Sequence, residues 1–147
     1  MPSAWIWMQS NHFKDKNSSF MLSIANITWL KKSFTGFLGF FYHNNKIYHF
    51  ATYRPTKLKL EIADSNQLKI KIENRKNTFR INAKSNNTGI LKAPVEGAMD
   101  RRIPESIDAI LKITMMDKKG NVIFMDSTNI AGLEMVGDYY KLQKLLK

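Results

Sequence analysis

Strict alternation of apolar and polar residues through the middle of the chain leaves little freedom in its secondary structure. Leu58, Leu60 and Ile62 alternate with Lys57, Lys59 and Glu61. The pattern repeats with Leu68, Ile70 and Ile72 against Lys69, Lys71 and Glu73, and with Phe79, Ile81 and Ala83 against Arg80, Asn82 and Lys84. A period of two sends one set of side chains to each face of a strand, so each run is a strand with one wet and one buried face. The breaks at Ala63-Asp64-Ser65-Asn66 and Asn74-Arg75-Lys76-Asn77 are short and polar, as hairpin turns require. The three runs therefore form an antiparallel meander.

The flanking sequence follows the same grammar. Further strands are expected at about 4–12, 19–27, 35–42, 46–53, 90–92, 106–115, 122–126 and 129–136, divided by turn signals such as Asn44-Asn45 and Asp117-Lys118-Lys119-Gly120. A helix is expected only at the end, where Asp138 precedes Leu142, Leu145 and Leu146 at helical spacing. Many short strands in meander order favour a barrel. The expected fold is all-β: an antiparallel meander forming a lipocalin-like β-barrel with a short C-terminal helix, in one domain over 1–147.

Composition removes several functional classes. The 147 residues contain no cysteine, which excludes disulfides, thiolate metal ligands and cysteine nucleophiles. The three histidines, His12, His43 and His49, lack the i,i+4 spacing of a helical metal motif, so neither metal nor cofactor is expected. No apolar run reaches the roughly 18 residues that span a bilayer, and stable membrane insertion is not expected. The N-terminus has neither the basic nor the apolar region of a signal peptide, which makes the cytoplasm the expected compartment. The net charge of +11 invites a nucleic-acid reading. Sheets that bind nucleic acid interleave aromatics with their cations, however, and the basic strand faces here carry none. A solvated outer face is expected, with no nucleic-acid partner.

Three segments carry candidate chemistry. In the first strand Trp5, Trp7, Gln9 and Asn11 share one face, a half-aromatic, half-amide stripe suited to lining an interior pocket for an apolar small molecule. The same indoles also suit ordinary packing. The loop from Leu91 to Ser106 holds Glu96, Asp100 and Glu105 beside Arg101 and Arg102. Its carboxyls are candidate general acids where burial raises a pKa, and simple pairing with Arg101 and Arg102 at a rim is the favoured alternative. Glu134 lies mid-strand among apolar residues and, if it points inward, is a third candidate acid.

Taken together, Pro2 to Phe13 with its Trp-x-Trp-x-Gln-x-Asn pattern, Ser19 to Ala25, Ala51-Thr52-Tyr53, Leu91-Lys92-Ala93-Pro94, Gly97 to Arg101, Ile103 to Ser106, and Ala131 to Gly137 resemble the tocopherol cyclase family as it occurs in bacteria. The resemblance implies a fold related to two-half, lipocalin-like barrels. It also implies that the chain corresponds to the C-terminal half of relatives about twice as long. Pairing with an N-terminal half, or homodimerisation through an exposed apolar surface, follows as an expectation.

Plant members of that family close a chromanol ring: an acid protonates a prenyl double bond and a phenolic oxygen captures the cation. By that resemblance Glu96, Glu105 or Glu134 supplies the proton, and Trp5, Trp7, Gln9, Asn11 and Arg101 hold the ligand. Indole faces stabilise a neighbouring cation by about 0.5–2 kcal/mol. A non-catalytic carrier or sensor of an apolar ligand on the same scaffold is the alternative.

Overall fold

In the computed structural model, which describes residues 4–52, 55–64, 66–85 and 105–145, nine strands follow one another in a single antiparallel sheet. They are β1 (Ala4–Ser10), β2 (Ser18–Trp29), β3 (Lys32–His43), β4 (Lys46–Ala51) and β5 (Lys57–Asp64). Then come β6 (Gln67–Glu73), β7 (Asn77–Lys84), β8 (Glu105–Asp117) and β9 (Val122–Gly137). The spatial order is β4-β3-β2-β1-β9-β8-β7-β6-β5, so β1 and β9 meet in the middle and two hairpin-linked arms run outward from them.

The alternation seen in the sequence is realised residue by residue. Leu58 and Leu60, then Leu68, Ile70 and Ile72, then Phe79, Ile81 and Ala83 are all buried on one face. Registers such as Leu60↔Ile70 and Ile70↔Ile81 align them across strands. Each fully buried Leu, Ile or Phe side chain contributes about 1.5–3 kcal/mol relative to exposure. The sheet curls around this face. Phe50 on β4 meets Phe79 on β7 with ring centroids 4.8 Å apart, and Phe41 on β3 reaches Phe79 and Phe124 at 6.2 and 5.1 Å. Edge-on and tilted rings from opposite arms thus pack across the inside, an arrangement worth more than their buried area alone.

The barrel expected from the sequence stays open. Among the described residues β4 pairs only with β3 and β5 only with β6, leaving a curled half-barrel with two edges. The five-residue link 52–56 between those edges keeps them within about 20 Å of each other along the chain. The C-terminal segment covers part of the β5 edge: the Ile62 amide donates to Gln143 Oε1 at 3.0 Å, and Leu142 is buried in the core.

That segment is also not the Asp138-capped helix expected. It is a 3-10 turn (Tyr139–Lys141) followed by the four residues of α1 (Leu142–Leu145). Asp138 makes no side-chain cap and instead pairs with Lys141 Nζ at 3.2 Å.

Two further boundaries differ. The expected strands over 122–126 and 129–136 are one continuous strand, β9, which keeps pairing through an irregular register near Thr128. The β2–β3 ladder runs on beyond Ile27 and Thr35 to a closing pair Trp29↔Lys32. The expected strand at 90–92 lies outside the described residues.

Candidate functional site

Burial along β1 decides where the tryptophans face. Ala4, Ile6, Met8 and Ser10 are buried in the core, whereas Trp5 and Trp7 are half-buried and Gln9 is exposed. The indole stripe therefore lies on the outer face of the curled sheet, not on the inner one. This corrects the expectation of an interior aromatic pocket. Both faces of β1 are apolar, and the inner one is claimed by Ile6 and Met8, whose narrower side chains pack against Leu22, Leu133 and the rest of the core. Glu134 shares the outer face, between buried Leu133 and Met135, so the inward orientation that made it a candidate acid is not realised.

On that outer face the registers line up into one row. Glu134 on β9 is opposite Trp7 on β1, Trp7 is opposite Ser23 on β2, Ser23 is opposite Leu38 on β3, and Leu38 is opposite Ala51 on β4. At about 4.8 Å per strand the row is about 19 Å long from Glu134 to Ala51. Two grooves follow it and meet at Ser23. One, of about 370 Å³, is lined by Trp5, Trp7, Ser23 and Glu134. The other, of about 510 Å³, is lined by Ser23, Ile27, Phe34, Gly36, Phe37, Leu38 and Thr52.

The polar end of this trough is built by side chains far apart in sequence. Trp5 Nε1–H donates to Glu134 Oε1 at 3.2 Å. The indole thereby fixes one carboxyl oxygen. Trp7 lies over Gly132, where a Cβ would come within 2.9 Å of its Cζ3, so a glycine is needed for the ring to lie down on β9. At the apolar end Gly36 has the same role. A Cβ there would stand 2.8 Å from Ile27 Cδ1 and 3.2 Å from Thr52 Oγ1, inside the groove. Thr52 Oγ1 is held in place by the Phe37 amide at 2.8 Å.

Of the residues singled out from sequence, the structure brings Trp5, Trp7 and Glu134 together. Gln9 sits on the same outer face, opposite Gly132 and Met21. Asn11 is exposed just past the end of β1. Glu105 is described through its backbone pairing, in which it is the direct partner of Glu134 across β8 and β9. Glu96 and Arg101 lie outside the described residues. Sequence reasoning missed Ser23, Ile27, Phe34, Gly36, Leu38 and Thr52, which form most of the trough. The signal for them was the apolar outer set of β2 and β3, visible only once both faces of these strands are compared.

Two other clusters merit comparison. Ser18 Oγ and Asp15 Oδ2 approach His43 Nδ1 at 2.9 and 3.3 Å, which brings serine, histidine and aspartate together. Both contact the same ring nitrogen, whereas a nucleophilic triad uses one nitrogen for each partner. With Ser18 buried and His43 stacked on Phe41, the cluster acts as a latch at one end of the sheet. On the other arm, Lys59, Glu61, Lys69, Lys71, Arg80 and Asn82 line a shallow depression of about 390 Å³ with no ring for stacking a base.

Among the described residues no group of three or more His, Cys, Asp or Glu side chains is placed to hold a metal ion, and no helix is long and apolar enough to cross a membrane. A search of the curated proteins finds no match to the chain, and a search of the solved structures finds none either. A family model described as tocopherol cyclase-like does match, over residues 1–137. That span runs to the end of β9 and so takes in every strand that floors the trough: the chain belongs to the tocopherol cyclase-like family.

Proposed function

We propose that the protein binds an elongated apolar molecule of prenyl or polyene type along the outer trough, with the molecule's functional end against Trp5, Trp7 and Glu134. The observation that carries this reading is the row Glu134–Trp7–Ser23–Leu38, which joins a carboxyl group, held by the neighbouring Trp5, and an indole to an apolar floor. Apolar walls with a few fixed polar groups are the usual make-up of a small-molecule site.

Glu134 is the acid in this reading. Its carboxyl group gives a proton to the prenyl double bond nearest the phenolic ring, and the electron pair of that bond forms the new C–H bond. The adjacent carbon becomes a cation faced by the indoles. A phenolic oxygen on the same ligand closes the ring onto that carbon, and its proton returns to the carboxylate, so the net change is an isomerisation. Trp5 orients the carboxyl group throughout by its hydrogen bond.

The test is incubation of the protein with a prenylated hydroquinol, analysed for chromanol by mass spectrometry. Chromanol formed by the wild type and absent with Glu134→Gln supports the reading. Binding of the quinol without turnover leaves a carrier. That second reading has its own support: Leu38 is 54% exposed, so the trough opens to water, which intercepts cations.

A further inference from the structure

The β2–β3 hairpin reaches beyond the rest of the sheet. Among the described residues β1 pairs with β2 only as far as Ala25, and β4 pairs with β3 only from Leu38 onward. From there the two strands continue with no third strand beside them, among the described residues, to the closing pair Trp29↔Lys32, about 13 Å past Ala25. A two-stranded ribbon is marginal by itself, and the inner face of this one is covered where Thr35 is buried. This one also turns apolar groups to solvent: Ile27 is 41%, Phe34 43% and Leu30 79% exposed.

The turn at its tip is unusual in composition. Leu30 and Lys31 have φ of 51° and 66°. Two-residue hairpins with both φ positive select Asn, Asp or Gly, because other side chains crowd the backbone in that region. The two-residue turn between β3 and β4 obeys the rule, with Asn44 and Asn45 at φ 56° and 67°. Strain held at an exposed position points to a use for the side chain displayed there. What is displayed is a leucine followed by two exposed lysines, Lys31 and Lys32. Along the chain the charge flanking it has one sign: no Asp or Glu occurs between Asp15 and Glu61, a span that includes all of β2, β3 and β4.

From these observations we infer that the β2–β3 tip docks on an anionic bilayer surface, with Leu30 entering the interface and Lys31 and Lys32 on the lipid headgroups. An apolar side chain flanked by cations is the chemistry such an interface takes up. The site also has a location that suits the trough. Ile27 and Phe34, a register pair two steps from the closing pair, line its apolar end, so the groove opens toward the docked surface. This last link rests on reading the trough as a ligand site. The docking itself does not, and neither does its test, which uses no ligand.

The experiment is co-sedimentation of the full chain with vesicles of phosphatidylcholine alone and of phosphatidylcholine with about one third phosphatidylglycerol. The wild type is expected to bind the anionic vesicles, less so as salt rises, and to leave the neutral ones largely unbound. Leu30→Asn relieves the turn and removes the apolar anchor, so its melting temperature should rise while its partition falls about tenfold. Reversal of Lys31 and Lys32 to Glu should weaken binding by at least about fivefold per lysine. Reversal of Lys59 and Lys71 on the opposite arm serves as the control and should change it less than about twofold.

Absence of binding by the wild type overturns the inference, as does unchanged binding by both tip variants, or a loss confined to the Lys59/Lys71 variant. A wild-type dimer that Leu30→Asn converts to monomer, without vesicle binding, assigns the tip to a second copy of the chain instead.

Discussion

Trp5 and Glu134 are 129 residues apart in sequence, yet the indole N–H of one donates to the carboxylate oxygen of the other at 3.2 Å. The bond exists because β1 and β9, the first and last strands, are neighbours at the centre of the sheet. It ties the acid of the proposed site to its aromatic wall. Glu134→Gln keeps the shape and an acceptor oxygen for Trp5 but loses the transferable proton. Ring closure of a prenylated hydroquinol should then fall by at least about a hundredfold, the usual weight of a general acid. Affinity for the quinol should change no more than a few-fold, measured by equilibrium binding on the same samples.

The trough depends on the absence of a side chain at Gly36. A methyl group there points into the groove toward Ile27 Cδ1 and Thr52 Oγ1, and Ile27 is free to swing aside. Gly36→Ala should therefore fold normally and lower affinity for an apolar chain about tenfold, equal to ~1.4 kcal/mol. Thermal melting alongside ligand titration separates the two effects.

Gly39 is a different case on the same strand. A Cβ there would run into the carbonyl oxygen of Met21 and crowd the Cα of Leu22, both backbone atoms of the paired strand. Backbone cannot step aside as a side-chain tip can. Gly39→Ala should cost about 1–3 kcal/mol by overpacking, read as a lower denaturation midpoint in urea.

The β8–β9 turn provides a pH prediction. Asp117 accepts from the Asn121 side chain, the Asn121 amide and the Lys119 amide, and these bonds hold its carboxyl below the usual value of 3.8, with the Asn121 side chain contributing most. A depressed pKa means the folded turn favours the ionised form. Its contribution is present above the unfolded pKa and is lost as pH falls below 3.8 through the folded value. Protection of the Lys119 and Asn121 amides from exchange, relative to the intrinsic rate at each pH, should fall over that acid range in the wild type and already be lost at neutral pH in Asp117→Ala.

Much of the fold was legible because a period of two survives any amount of tertiary context. Leu58 to Ala83 alternates, and the structure buries the apolar set apart from Ile62, which is half-buried. The orientation of β1 was not legible, since Ile6 and Met8 are as apolar as Trp5 and Trp7 and only the neighbours decide which pair goes inside. The tip at Leu30-Lys31 escaped for the opposite reason: neither residue is a turn former, so nothing in the local sequence marks a hairpin. The C-terminal leucines have helical spacing, but Leu142 is drawn into the core after one 3-10 turn and only α1 remains. Of the candidate acids, Glu134 is placed by its partners, Glu105 by its register alone, and Glu96 and Arg101 fall outside the described residues.

The central claim is that an apolar chain lies outside the half-barrel, along the row from Glu134 to Ala51, rather than within it. Quenching by a brominated prenyl alcohol in a Trp29→Phe background, where Trp5 and Trp7 are the remaining tryptophans, tests it most directly. Saturable quenching that disappears with Leu38→Asp, an exposed outer-row position whose change spares the core, is the expected result. Quenching undiminished by Leu38→Asp, or no saturable quenching at all, contradicts it.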